Sequence, residues 1–179
     1  MQRPRPACAR IVLAVVVGVL ASGCGLTHLQ DLNFRVDKRL HFISPESRSK
    51  VHQQFTVSWR MDDFTVAAPG TGPPSRDAGY FAVFVDKTPI KPGQTMKAVA
   101  SGDQFCEQSP TCPDRGYLRE HLVFTTTGTS LHLPLIPSIV NDKSSLQLHT
   151  LTIVLMDTAG HRIGESAWQL DVRLPKLGV

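Results

Sequence analysis

The chain has 179 residues, of which 41% are hydrophobic and 19% charged, with a formal charge of +4. Three of its 19 basic residues, Arg3, Arg5 and Arg10, stand at the N-terminus; without them 16 basic side chains face 15 acidic ones, for a formal charge of +1. Nucleic-acid binding needs clustered Lys and Arg, and the rest of the chain has no such run, which excludes that class.

The first element is an address. Arg3, Arg5 and Arg10 have no acidic neighbour, and an uncharged apolar run from Ile11 to Ala21 follows, closing on small residues. That is the layout of a secretory signal peptide. As a helix the run would cover roughly 17 Å, short of the ~30 Å hydrocarbon core, so it is too short to span a bilayer. Pro4 separates Arg3 from Arg5, leaving no twin-arginine pair.

Leu20-Ala21-Ser22-Gly23-Cys24 resembles the lipobox of bacterial lipoproteins, in which small residues precede a cysteine that is lipidated and becomes the mature N-terminus. Ala21 stands where that pattern usually has Leu. The resemblance implies a signal peptide over 1–23, lipidation at Cys24, and a membrane-anchored protein on the extracytoplasmic side. An ordinary cleaved signal would end on Ala21-Ser22-Gly23 and leave Cys24 a free thiol. Residues 24–31 would form the lipidated N-terminus and its tether. From Gly25 to Asp31 that tether reaches at most about 23 Å.

The domain, 32–179, reads as strands. Leu32, Phe34, Val36, Leu40 and Phe42 share one parity, against Arg35, Asp37, Arg39 and His41. Phe55, Val57 and Trp59 alternate with polar residues, as do Trp168, Leu170, Val172 and Leu174. Such alternation predicts half-buried strands of antiparallel sheets. Tyr80 to Val85 and Leu148 to Met156 are apolar on both faces and predict central strands. Leu131, Leu133 and Leu135 alternate again, with Pro134 and Pro137 restricting that strand to an edge or an end. Asp62-Asp63 predicts a polar turn, and Asp157-Thr-Ala-Gly160 a hairpin with Gly at positive φ. One short helix is expected after Pro113, over Asp114 to Glu120. The longest loop without pattern is Ala67 to Gly79.

The predicted fold class is all-β: an antiparallel β-sandwich of about seven strands with one short helix in a loop. The strand order resembles immunoglobulin-like and fibronectin-like modules, although the Cys…Trp…Cys spacing of antibody domains is missing. That resemblance implies no functional residue. An eight-stranded barrel is the structural alternative.

With Cys8 inside the targeting segment and Cys24 the lipid acceptor, Cys106 and Cys112 remain. They flank a polar, Pro110-containing stretch in an oxidising compartment, which predicts a Cys106–Cys112 disulfide. Five intervening residues match neither a zinc site nor a redox Cys-x-x-Cys. Among the seven histidines, His121, His132 and His149 lie on or beside predicted strands, with no recurring ligand spacing. No metal or other cofactor is expected. Gly164-Glu-Ser-Ala-Trp168 lacks the final Gly of a nucleophile elbow, and no catalytic residue is assigned. The expectation is a non-catalytic binding or scaffold module of the cell envelope with a protein partner, the alternative being a carrier or chaperone for a hydrophobic ligand. Partner-binding residues stay unknown, the pinned loop from Gly102 to Asp114 being the best single candidate for a contact site.

Overall fold

Strands alternate their side chains between two faces, so a strand that is apolar on both faces needs a cover on each side. The computed structural model describes residues 37–177. The signal peptide expected over 1–23, the lipidation at Cys24, the 24–31 tether and the pattern at Leu32, Phe34 and Val36 lie outside the described residues. Within them there are eight strands: β1 (Leu40–Ser44), β2 (Thr56–Met61), β3 (Thr65–Val66), β4 (Ala78–Val85), β5 (Val123–Thr126), β6 (Ser130–His132), β7 (Leu146–Asp157) and β8 (Arg162–Pro175). They form two sheets. The first has the order β1-β2-β6 and is antiparallel. In the second, β4 pairs with β7 and β7 with β8, while β3 and β5 share the other side of β4. β3 runs parallel beside Ala78 and Gly79, and β5 antiparallel beside Phe81 to Phe84. The fold is all-β, with few helices.

One core lies between the sheets: Val57 and Trp59 from the first meet Phe81, Val83, Leu151, Ile153, Leu155, Trp168 and Leu170 from the second. Trp59 meets Phe81 edge to face at 5.2 Å between ring centroids. The other face of the second sheet carries Tyr80, Ala82, Phe84, Val154 and Met156. Residues 86–122 fold over it, placing Ile90, Leu118, Met96 and Val99 on that second cluster. This cover explains why β4 and the C-terminal half of β7 are apolar on both faces. β8 keeps the predicted alternation, with Trp168, Leu170, Val172 and Leu174 buried and Gln169 and Arg173 exposed. Gly160, at φ 86°, closes the β7–β8 hairpin, and Asp63 sits at φ 53° in the turn after β2.

Three expectations need correction. The covering layer holds two α-helices, α1 (Gln104–Glu107) and α2 (Arg115–Glu120), and a 3-10 turn at Met96–Ala100, where one helix was expected. α1 forms because the Asp103 carboxylate accepts from the Phe105 and Cys106 amides and caps its first turn. Leu131, Leu133 and Leu135 do not share one face, because β6 stops at His132 before Pro134. Leu133 is buried, Leu135 is 52% exposed, and Ile136 turns inward in its place. Leu148, read as part of a central strand, is exposed, while its neighbours Gln147 and His149 are buried.

The 67–79 segment is anchored along its course. The Gly70 amide donates to the Thr158 carbonyl, and the Thr158 hydroxyl lies 3.0 Å from the carbonyl oxygens of Gly72 and Pro73.

Candidate functional site

Two grooves among the described residues border the covering layer. The first has a volume of about 700 Å³ and runs between the second sheet and residues 87–113. Phe84, Ile90, Val99 and Val123 form its apolar surface, and Lys87, Lys91 and Lys97 line it against one acid, Glu107, among the described residues. Cys106 and Cys112 are part of its wall.

Cys106 and Cys112 are bonded, with 5.1 Å between their α-carbons. The bridge ties α1 to the segment that opens α2. A second tie joins the same helices: the Tyr117 hydroxyl donates to the Asp103 carboxylate at 3.0 Å. The Cys106 amide and the Tyr117 hydroxyl, as donors, hold that carboxyl below its ordinary range. Asp114 caps α2 through the Tyr117 amide, and Tyr117 stacks on His121 at 4.0 Å. Residues 102–114 are thus a braced wall on which Phe105 is 90% exposed.

The second groove, of about 550 Å³, lies along β5. Tyr80, Leu118, Val123 and Leu131 line it together with Thr125, Thr126 and Thr127. Arg115 and Arg119, one turn apart on α2, reach it from one side and His132 from the other. Burial raises the Tyr80 phenol above its ordinary range, with Asp157 adding to the shift.

His121, His132, His149 and His161 go to separate places. His132 Nδ1 meets the Thr56 hydroxyl, His121 Nδ1 the Tyr117 carbonyl, and His161 lies beside Asp157. His149 is buried and its Nδ1 is 2.6 Å from the Asp86 carboxylate, whose other oxygen accepts from the Thr150 amide. No group of three potential metal ligands occurs among the described residues.

Two further polar clusters are structural in character. β8 holds four residues, 164–167, opposite the single residue Val154 of β7, three more than an even ladder would place there. The Arg162 guanidinium fills this bulge, donating to the carbonyl oxygens of Ile90, Glu165 and Ser166. Burial lowers its pKa from the usual arginine value. Nearby, the Asp37 carboxylate accepts from Arg39 at 2.8 Å and from the Ser166 hydroxyl at 2.7 Å. The Arg39 hydrogen bonds, partly opposed by burial, hold Asp37 at about 2 against an ordinary 3.8. A carboxyl depressed on folding contributes stability above its unfolded pKa and loses it as the pH falls through the folded one. Asp37→Asn is therefore expected to remove on the order of 1 kcal/mol at neutral pH. It should also flatten the loss of stability between about pH 4 and pH 2, read by urea denaturation across that range. An unchanged acid limb would show that the cluster is not coupled to folding.

No family model, curated protein or solved structure matches the chain.

Proposed function

We propose that the chain is a lipid-anchored module of the bacterial cell envelope, an immunoglobulin-like β-sandwich that binds a protein partner and catalyses no reaction. Cys24 is its lipid acceptor and the extracytoplasmic face of a membrane its location. The observation that supports this reading is the groove of about 700 Å³ braced by the Cys106–Cys112 bridge. A contact surface fixed covalently before binding loses less conformational entropy when a partner docks. Phe105 beside it adds an exposed aromatic ring, a side chain enriched at interface centres. The apolar surface of the groove favours a second reading, carriage of a ligand with an apolar body and an acidic head for the lysines that line it.

In-cell cross-linking from positions Lys97 and Phe105 of the full-length chain tests both readings. Protein partners should be captured and should be lost when Cys106→Ser and Cys112→Ser release the wall, while Cys24→Ala frees the protein from membranes. Capture unaffected by opening the bridge would remove the loop from the binding site. A co-purifying lipid without a protein partner would replace the module with the carrier.

A further inference from the structure

The two long margins of the second sheet are treated differently. The outer edge of β8 is covered twice: the Arg48 and Val51 amides donate to the Asp171 and Arg173 carbonyls, and Gly93 and Gln94 exchange bonds with Arg162. β5 is left open. The Val85 amide donates to the Leu122 carbonyl at 3.0 Å, which sets the phase of the β4–β5 ladder. Phe124 and Thr126 therefore bond to β4, and Thr125 turns its N–H and C=O away from the sheet. Neither group has a partner among the described residues. Exposed edges are ordinarily blunted by lysine, proline, a bulge or a covering segment. Val123-Phe124-Thr125-Thr126 carries no charge and no proline, and its register with β4 has no bulge.

We propose that this edge is a docking site for an extended, acidic peptide segment of a protein partner, added to the sheet as a further strand beside β5. Main-chain bonds to Thr125 supply the pairing, and the flanking side chains select the sequence. The selection is electrostatic. Arg115 and Arg119 face the groove from α2 and His132 stands across it, while none of its lining residues is acidic among the described ones. Arginine forks match carboxylates two bonds at a time. Acidic side chains on alternate positions of an added strand would all project to one face. The site rests on the binding-module reading but not on the disulfide-braced groove.

The test uses the purified full-length chain in detergent and two fluorescent seven-residue peptides, one alternating glutamate with valine and the other lysine with valine. The glutamate peptide should bind at least tenfold more tightly and slow amide exchange across 122–127. Thr125→Pro removes the outward N–H at a position where an edge strand tolerates proline, and should abolish binding. Arg115→Glu combined with Arg119→Glu changes only exposed side chains and should reverse the preference toward the lysine peptide, which decides the matter if Thr125→Pro does not fold. Equal binding of both peptides, or binding without slowed exchange at 122–127, overturns the proposal. So does a short-chain phosphatidylglycerol that displaces the glutamate peptide in an arginine-dependent way, since the arginines then read a lipid headgroup. Partners that cross-link in cells and survive both the Thr125 change and the Arg115/Arg119 changes would keep the module and remove the edge. Capture of no partner would remove the module, leaving the peptide measurements to decide the edge.

Discussion

Gly79→Ala should cost more than about 4 kcal/mol, at the exceptional end for a single methyl group. Gly79 enters β4 at φ 155° and lies opposite Asp157 in the β4–β7 ladder. A Cβ there would run into the carbonyl oxygen of Met156 and crowd the Asp157 α-carbon. Neither atom belongs to a flexible side chain, and Met156 is itself fully buried against the covering layer. Sliding β4 by one residue would relieve the clash only by exchanging its two faces, sending Phe81 and Val83 toward the helices and Ala82 and Phe84 into the core. The strand must separate from β7 at this end or the substitution must prevent folding. Gly72→Ala, where an added Cβ meets nothing within 4 Å, is the matched control and should stay within about 0.5 kcal/mol. Urea denaturation of the two variants reads the difference. A Gly79→Ala cost below about 1 kcal/mol would mean that the two strands approach less closely than described.

The features legible in the sequence are those in which one residue type has one physical meaning. Tyr80 to Val85 has no polar face, so it needs two covers, and the structure supplies the opposite sheet and the 86–122 layer. β8 is half-buried, and its alternation names its buried residues in advance. Cys106 and Cys112 are close in sequence and find each other. What stayed hidden depends on partners far along the chain. His149 has the parity of Leu151 and Ile153 and is buried with them because Asp86, 63 residues away, meets its imidazole. Gln147 is buried likewise, its amide satisfied by the Ile139 and Asp142 backbones. Polar residues at core parity followed by an unrelated loop leave no local trace of such pairing. The β5 groove is the same kind of case. Arg115, Arg119 and His132 are unremarkable exposed residues until α2 and β6 bring them to either side of one open strand.

Trp168→Ala should lose about 3–5 kcal/mol, the range for truncating a large buried aromatic. Trp168 is 8% exposed, opposite Ile153, at the point where β8 resumes its ladder after the four-residue bulge. Its ring therefore closes the core beside the point where the pairing of β7 and β8 is interrupted. Its indole N–H also donates to the Asp37 carbonyl at 2.8 Å, so truncation removes both packing and a tie to the start of the described chain. Trp168→Phe separates the two contributions. It retains most of the apolar volume but leaves the Asp37 carbonyl without its donor, a loss of about 1 kcal/mol if that bond is an ordinary one. The remainder of the alanine cost is then the cavity. Equal losses for the two variants would assign the effect to the hydrogen bond. A loss below about 1 kcal/mol for Trp168→Ala would place the indole outside the core and invert the face assignment of β8.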